Sequence, residues 1–242
     1  MRVLVFNGWA AGPETWALCT FEHDWVFDYV EQLDGLPEKI IEEFDEVLLV
    51  GFSMGGSSAL RMVLKYPEKV KGLVLVSATP CMMEKKVEVE KVEKKGGGGE
   101  GGGREDESGV GGEGEEDWKG MSERRLAALR LGTQMVFKDD PSPMYDERNM
   151  ERGLDYLKQT DLRHELLSVS ESVKRWNFPV WIFQSERDGI VRPNNAAFLK
   201  QVFPQAKVAM VPGNEHVLPI AVPELIDAAV GEVRGLSRMA EI

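Results

Sequence analysis

Cysteine is nearly absent from these 242 residues: there are two, Cys19 and Cys81. Two thiols cannot make a disulfide framework, and neither sits in a C-x-x-C or zinc-type spacing, so a stapled secreted scaffold and a metal site are both excluded from the expectation. A reducing cytoplasm suits such a chain. No apolar run approaches the roughly 18 to 20 residues that a membrane-spanning helix needs, so no membrane association is expected. Positive charge is in deficit as well, with 29 Lys and Arg against 41 Asp and Glu and a net charge of -12. That balance argues against nonspecific binding to nucleic acid or anionic lipid. The opening stretch MRVLVFNGW begins like a signal peptide but lacks a long apolar region and a small-x-small cleavage site, and it reads as a first strand.

What is present suits one α/β domain with an excursion. The negative charge is concentrated: residues 84–117 hold six Lys or Arg and twelve Asp or Glu, a net of -6 and half of the chain's total. This stretch is rich in glycine and poor in apolar surface to offset its ordering entropy, and it reads as a flexible insert. Its run from Gly96 to Gly101 matches G-x-G-x-x-G in letters alone, since no strand precedes it and no helix pattern follows. No cofactor is expected.

Outside the insert, strand and helix patterns alternate. Strand patterns fall at 3–6, 25–29, 46–51, 72–77, 180–185 and 207–212, most of them apolar throughout, as parallel strands covered on both faces are. Helical patterns fall at about 14–20, 36–44, 54–66, 193–203 and 219–234. The order predicts a doubly wound, mainly parallel sheet. Between the fourth and fifth strands, residues 118–175 show helical patterns only, at about 121–137, 147–158 and 161–174. Leaving from a strand's carboxyl end, this excursion would lie over the edge where open α/β sheets bind ligands, and it reads as a helical lid. The expected division is a core of residues 1–83 and 176–242, the insert at 84–117 and the lid at 118–175.

One short stretch carries chemistry. Gly51-Phe52-Ser53-Met54-Gly55 follows an apolar strand and opens a helix, the G-x-S-x-G arrangement that pushes a serine hydroxyl out of the sheet on a strained turn. Glycines at 51, 55 and 56 leave room for that turn. Such a serine needs a base, and only His23, His164 and His216 are available. His23 precedes the serine in a short connection and His164 sits in the excursion, whereas His216 follows the last strand in the loop GNEHVLP. The chain order serine, acid, histidine calls for a carboxylate at another strand end; QSERDGIV offers Glu186 and Asp188, of which Asp188 lies further into the loop and precedes Gly189. Backbone N–H groups of Met54 and Trp9 are placed to receive an oxyanion. Cys81 lacks any comparable turn.

These residues resemble a known family. NGWAAGPETW after the first strand, the turn GFSMGG, SATPCM, the segment LDYLKQTDLRHEL, ERDGIVRP and the late histidine together are similar to the α/β-hydrolases, and among them to the pimeloyl-acyl-carrier-protein methyl ester esterases of biotin synthesis. The resemblance implies an α/β-hydrolase fold with about six mainly parallel strands, helices on both faces and a helical lid. It implies Ser53 as nucleophile, Asp188 as acid, His216 as base, and Trp9 and Met54 at the oxyanion hole. It further implies hydrolysis of the methyl ester of a pimeloyl chain on acyl carrier protein, an acidic partner; a cytoplasmic monomer is expected. Residues 118–165 balance nine Lys or Arg against nine Asp or Glu, and the family's carrier docking through lid arginines points to Arg124, Arg125, Arg130, Arg148 and Arg152. Asn7 stands where most relatives carry histidine. A general carboxylesterase, a thioesterase, a menaquinone-pathway lyase and a non-catalytic receptor would share this fold, because fold and triad do not choose a substrate.

Overall fold

A computed structural model of the chain describes residues 1–83, 121–137, 139–172 and 176–239. Six strands, β1 (Arg2–Phe6), β2 (Trp25–Phe27), β3 (Val47–Phe52), β4 (Val70–Val76), β5 (Val180–Ser185) and β6 (Lys207–Val211), form one sheet in the order β2-β1-β3-β4-β5-β6. Every neighbouring pair is parallel. The chain therefore reverses direction across the sheet between β1 and β3, the kind of position where doubly wound folds place a site.

The strands are apolar at successive positions because both faces are covered, and successive side chains point to opposite faces. Leu4, Phe6, Leu49, Leu73 and Leu75 pack on one face, while Val3, Val5, Leu48, Val50, Val74 and Val76 pack on the other. The first face is closed by α2 (Leu36–Glu42), α3 (Met54–Lys65), α6 (Arg163–Ser172) and α7 (Asn194–Val202), the second by the carboxyl-terminal helices. Burying a Leu or Val side chain in this way stabilises by about 1.5 to 3 kcal/mol each, before ordering entropy is subtracted.

The strand and helix expectations hold to within a few residues, with informative exceptions. The second strand stops at Phe27, because Asp28 takes the cap of a short helix α1 (Tyr29–Leu33) in a reciprocal capping box with Glu31. The pattern at 14–20 forms only a 3-10 turn at Pro13–Trp16. The last helical pattern divides at Val222 into α8 (Leu218–Ala221) and α9 (Pro223–Met239), where Pro223 cannot continue the preceding hydrogen bonds.

The excursion contains α4 (Glu123–Val136), α5 (Glu147–Gln159) and α6 (Arg163–Ser172), and α7 (Asn194–Val202) follows β5. It is fastened to the chain after β4 by two single-residue bridges, Cys81 with Asp161 and Met83 with Met121. The insert expected at 84–117 lies outside the described residues. A third cluster joins the sheet's carboxyl edge to α4 and α5: Met54, Met82, Met83, Met121, Met144, Leu126, Leu154 and Leu157 pack with Tyr29 and Val191. Methionine is unbranched and polarisable, so this junction is more adaptable than the leucine- and valine-filled layers below it.

Candidate active site

Ser53 sits between β3 and α3 with φ 53° and ψ -119°, a conformation that costs a non-glycine residue free energy and lifts its hydroxyl out of the sheet. The surroundings hold it there. Its N–H donates to the carbonyl of Val76 at 3.0 Å, and its carbonyl accepts from the Gly56 N–H at 3.0 Å. A Cβ at Gly55 would lie 2.1 Å from the Phe6 oxygen, and one at Gly51 would lie 2.7 Å from the Gly56 Cα, so the turn closes only with bare backbone at these positions.

His216 reaches this serine from the loop after β6, and Asp188 from the loop after β5. The imidazole Nε2 lies 2.9 Å from Ser53 Oγ, and Nδ1 lies 2.8 Å from Asp188 Oδ2. The Asp188 side chain is fully shielded from solvent, whereas that of His216 is 13% exposed and thus reachable from outside. Asp188 Oδ1 accepts the N–H groups of Ile190 at 2.8 Å and Val191 at 3.0 Å. The imidazole rests against the Phe52 ring at 5.2 Å between centroids. A hydroxyl, an imidazole and a shielded carboxylate in line can pass a proton away from the hydroxyl while the carboxylate balances the imidazolium.

The structure brings together the three residues that the sequence singled out and leaves the rejected ones elsewhere. His23, His164 and Glu186 are on the surface. Cys81 is buried, with its Sγ toward the Met83 carbonyl at 3.4 Å. The Cys19 thiol is pushed up to about 12, first by burial and then by Asp227 and Glu224, which leaves it protonated.

The loop carrying Trp9 passes against the serine, since a Cβ at Gly8 would lie 3.0 Å from the Ser53 Cβ. Among the described residues, the backbone N–H groups of Trp9 and Met54 find no acceptor. The Trp9 indole donates to the Met150 carbonyl at 3.3 Å and lies over Gly153, where a Cβ would come within 2.4 Å of the ring. Trp9 thereby ties the loop to α5. Asn7 anchors the same loop: its N–H donates to the Phe27 carbonyl at 3.0 Å, its carbonyl accepts from Gln32 Nε2 at 2.9 Å, and its side-chain oxygen accepts from the Trp16 indole.

Three polar residues at strand ends were not anticipated. Ser77, after β4, donates its hydroxyl to the His216 carbonyl at 2.8 Å, and Ser185 donates to the Glu215 carbonyl at 2.5 Å. Gln184 lies beside Asp188. The signal was a polar residue closing an otherwise apolar strand, as in GLVLVS and VWIFQS.

The five arginines separate. Arg130 pairs with Glu147 and Glu151, Arg152 with Asp34, and Arg125 donates to the Gly189 carbonyl. Arg124 and Arg148 are exposed. Among the described residues no group of three or more His, Cys, Asp or Glu could hold a metal, and no helix is long and apolar enough to cross a membrane. A groove of about 660 Å³ lined by Trp176, Phe178, Trp181 and Lys207 lies at the amino ends of β5 and β6, at the opposite edge from Ser53.

Comparison with known proteins agrees with this fold. A family model described as alpha/beta hydrolase fold matches residues 8–221. A pimeloyl-[acyl-carrier protein] methyl ester esterase of Yersinia enterocolitica is 28% identical over 195 residues, covering 76% of this chain and 68% of the relative. The enzyme of that name from Nitrosospira multiformis is 26% identical, covering 79% of this chain and 71% of the relative. The one from Salmonella typhi is 29% identical and covers 71% and 66%, so the chain spans about two thirds of the length of these relatives. Among solved structures, an esterase from Exiguobacterium antarcticum superimposes with a TM-score of 0.62 at 16% identity over 97% of this chain and 92% of its own. A hydrolase from Oleispira antarctica gives 0.61 at 14% identity over 96% and 89%.

Proposed function

The chain belongs to the α/β-hydrolase family, and from that premise we propose that it is a serine carboxylesterase acting through Ser53, His216 and Asp188. The observation that carries this reading is the continuous contact from Ser53 Oγ to His216 Nε2 and from His216 Nδ1 to the shielded Asp188 carboxylate. In the proposed cycle Ser53 Oγ attacks the ester carbonyl as His216 Nε2 takes its proton. Asp188 holds the Nδ1–H tautomer and balances the imidazolium. The N–H groups of Trp9 and Met54 donate to the oxyanion, where loss of one such donor typically costs about 3 to 4 kcal/mol. His216 then returns the proton to the departing alkoxide. A water molecule deprotonated by the same histidine cleaves the acyl-serine, releasing the acid and restoring Ser53.

For the substrate, the reading is the methyl ester of a pimeloyl chain on acyl carrier protein, with methanol as the leaving product. The names of the similar proteins support it. So does the methionine-rich cluster beneath α4 and α5, whose unbranched side chains can rearrange around an acyl chain more readily than leucine or valine. An acidic carrier would need local positive charge on an acidic enzyme, and Arg124 and Arg148, exposed on the excursion, are the residues proposed to supply it; Arg125, Arg130 and Arg152 are engaged within the chain.

The test is hydrolysis of pimeloyl-carrier methyl ester and of p-nitrophenyl butyrate by the wild type and by Ser53→Ala. Both esters should be cleaved by the wild type, and the variant should lose at least about 10⁴-fold in kcat. Cleavage of the small ester alone would remove the carrier and keep the esterase. Equal activity in the variant would remove Ser53 as nucleophile.

A further inference from the structure

The relay between Asp188 and His216 has a third participant, which comes from the strand below it. Gln184 is the penultimate residue of β5, is 1% exposed, and turns its amide toward the loop that carries the acid. Its Nε2 lies 2.9 Å from the Val191 carbonyl and 3.3 Å from Asp188 Oδ2. Both partners can only accept at these atoms, a carbonyl on one side and an ionised carboxylate on the other, so the amide nitrogen and not its oxygen must face them. The oxygen it reaches on Asp188 is the one 2.8 Å from His216 Nδ1. Asp188 thus spends Oδ1 on the backbone of Ile190 and Val191 and divides Oδ2 between Gln184 and His216.

We propose that Gln184 is a positioning residue for the proposed esterase reaction: by donating to Asp188 Oδ2 it sets the direction and the strength of the carboxylate's hold on His216. The proposal rests on the serine-hydrolase reading given above. Two physical effects follow. First, the Gln184 bond to Val191 and its bond to Asp188 tie both ends of the acid's turn to a sheet strand, which restrains Oδ2 at its distance from His216 Nδ1. Second, a hydrogen bond to a buried carboxylate withdraws negative charge from it, so its removal leaves more charge on Oδ2 to stabilise the imidazolium.

The charged groups around the pair are few. Arg125 of α4 reaches Gly189 through the carbonyl, Glu186 and Arg187 are exposed beside the acid, Arg192 lies further along that loop, and Glu215 next to the histidine is exposed. None of them donates to or accepts from the side chains of Asp188 or His216 in the hydrogen bonds of the described residues. The amide of Gln184 is therefore the side chain, other than that of His216, through which the buried carboxylate is tuned.

The experiment is the pH dependence of kcat/KM for p-nitrophenyl butyrate with the wild type and Gln184→Met, which keeps the length of the side chain and removes the donor. A fluorophosphonate probe that labels Ser53 reports on the nucleophile independently in each protein. The acidic limb of the variant should move to higher pH by about half a unit or more, kcat at the plateau should fall by about three- to tenfold, and KM should stay within about twofold. Gln184→Asn, whose amide is too short to reach Oδ2, should move the limb in the same direction and serves if the Met variant does not fold. A uniform loss of activity with an unmoved limb in a folded variant overturns the proposal, because packing alone produces that result. If the wild type neither hydrolyses the ester nor takes the probe at Ser53, the serine-hydrolase reading itself fails. A labelled, active wild type with no limb shift in the variant removes the role of Gln184 alone.

Discussion

At the carboxyl ends of β3, β4 and β5, Ser53, Asp188 and the support residues Ser77 and Ser185 are each no more than 7% exposed. In α4, by contrast, Leu126 is the one buried residue, while Leu131, Met135 and Val136 are 62%, 76% and 73% exposed. The strand ends are held by backbone ladders on either side and by hydroxyls that reach the carbonyls of the histidine loop. Helices α4 and α5 are held by the Met83–Met121 bridge, a methionine-rich junction, the Trp9 indole and the Arg152–Asp34 ion pair, whereas α6 packs into the first face of the sheet. The groups proposed to react therefore rest on the more densely supported part. Helices α4 and α5, fastened by adaptable contacts, pack against the carboxyl edge of the sheet.

The sharpest way to break this contrast is to strike the rigid side. In Gly55→Ala the new Cβ would meet the carbonyls of Phe6 and Asn7 at 2.1 and 2.6 Å, both main-chain atoms that cannot turn aside. The variant should lose about 3 kcal/mol or more of stability, seen as a fall in Tm, and lose esterase activity because the loop bearing Trp9 is displaced. A soluble, fully active Gly55→Ala protein would show that the turn is less crowded than described.

The matching change on the excursion is Gly153→Ala. Here the Cβ meets the Trp9 ring at 2.4 Å, a side chain that can swing, and alanine favours a helix by up to about 1 kcal/mol. Activity should fall about tenfold while Tm moves by only a few degrees. A large loss of Tm with unchanged kcat would reverse the comparison.

A smaller effect is expected at the sheet's far edge. Burial tends to raise the Asp24 carboxyl, but the Val3 N–H and the Arg2 guanidinium, both at 2.8 Å, outweigh it and hold the group below the usual carboxylate range. A depressed folded-state value means stabilisation that is present above the unfolded carboxylate value near 4 and is lost as pH falls through the folded value. Asp24→Asn should therefore lower Tm at pH 7 slightly and converge with the wild type toward pH 3. A constant difference across that range would sever the link to ionisation.

The smallest effect should come from residues 84–117. Met83 and Met121 are bridge partners, so the chain leaves and returns at neighbouring points. Replacing 84–117 with a Gly/Ser linker of about eight residues should shift Tm by no more than about 2 °C and leave hydrolysis of p-nitrophenyl butyrate unchanged. A large fall in either would give the stretch a part in the fold.

The six strands and the serine turn were legible because each depends on neighbours in sequence: an apolar run such as VLLVGF is sufficient to read a strand covered on both faces, and glycine spacing is sufficient to read a sharp turn. The errors fell where a local pattern met a competing partner, as at Asp28, whose side chain takes the Glu31 N–H and ends β2 two residues early. His216 was reached by elimination among three histidines.

By itself the sequence determined the alternation of strands and helices, the bare backbone at 51, 55 and 56, and a short list of groups able to serve as nucleophile, acid and base, since composition and near-neighbour spacing decide those. Only the tertiary structure decided that Asp188, the carboxylate preferred from its place in the loop, lies 2.8 Å from the imidazole, that Gln184 shares its oxygen, and that Ser77 and Ser185 hold the histidine loop. Those contacts join residues from 4 to 139 positions apart. Which of them meet depends on strand order and on the depth to which each loop is buried, and no local pattern records either.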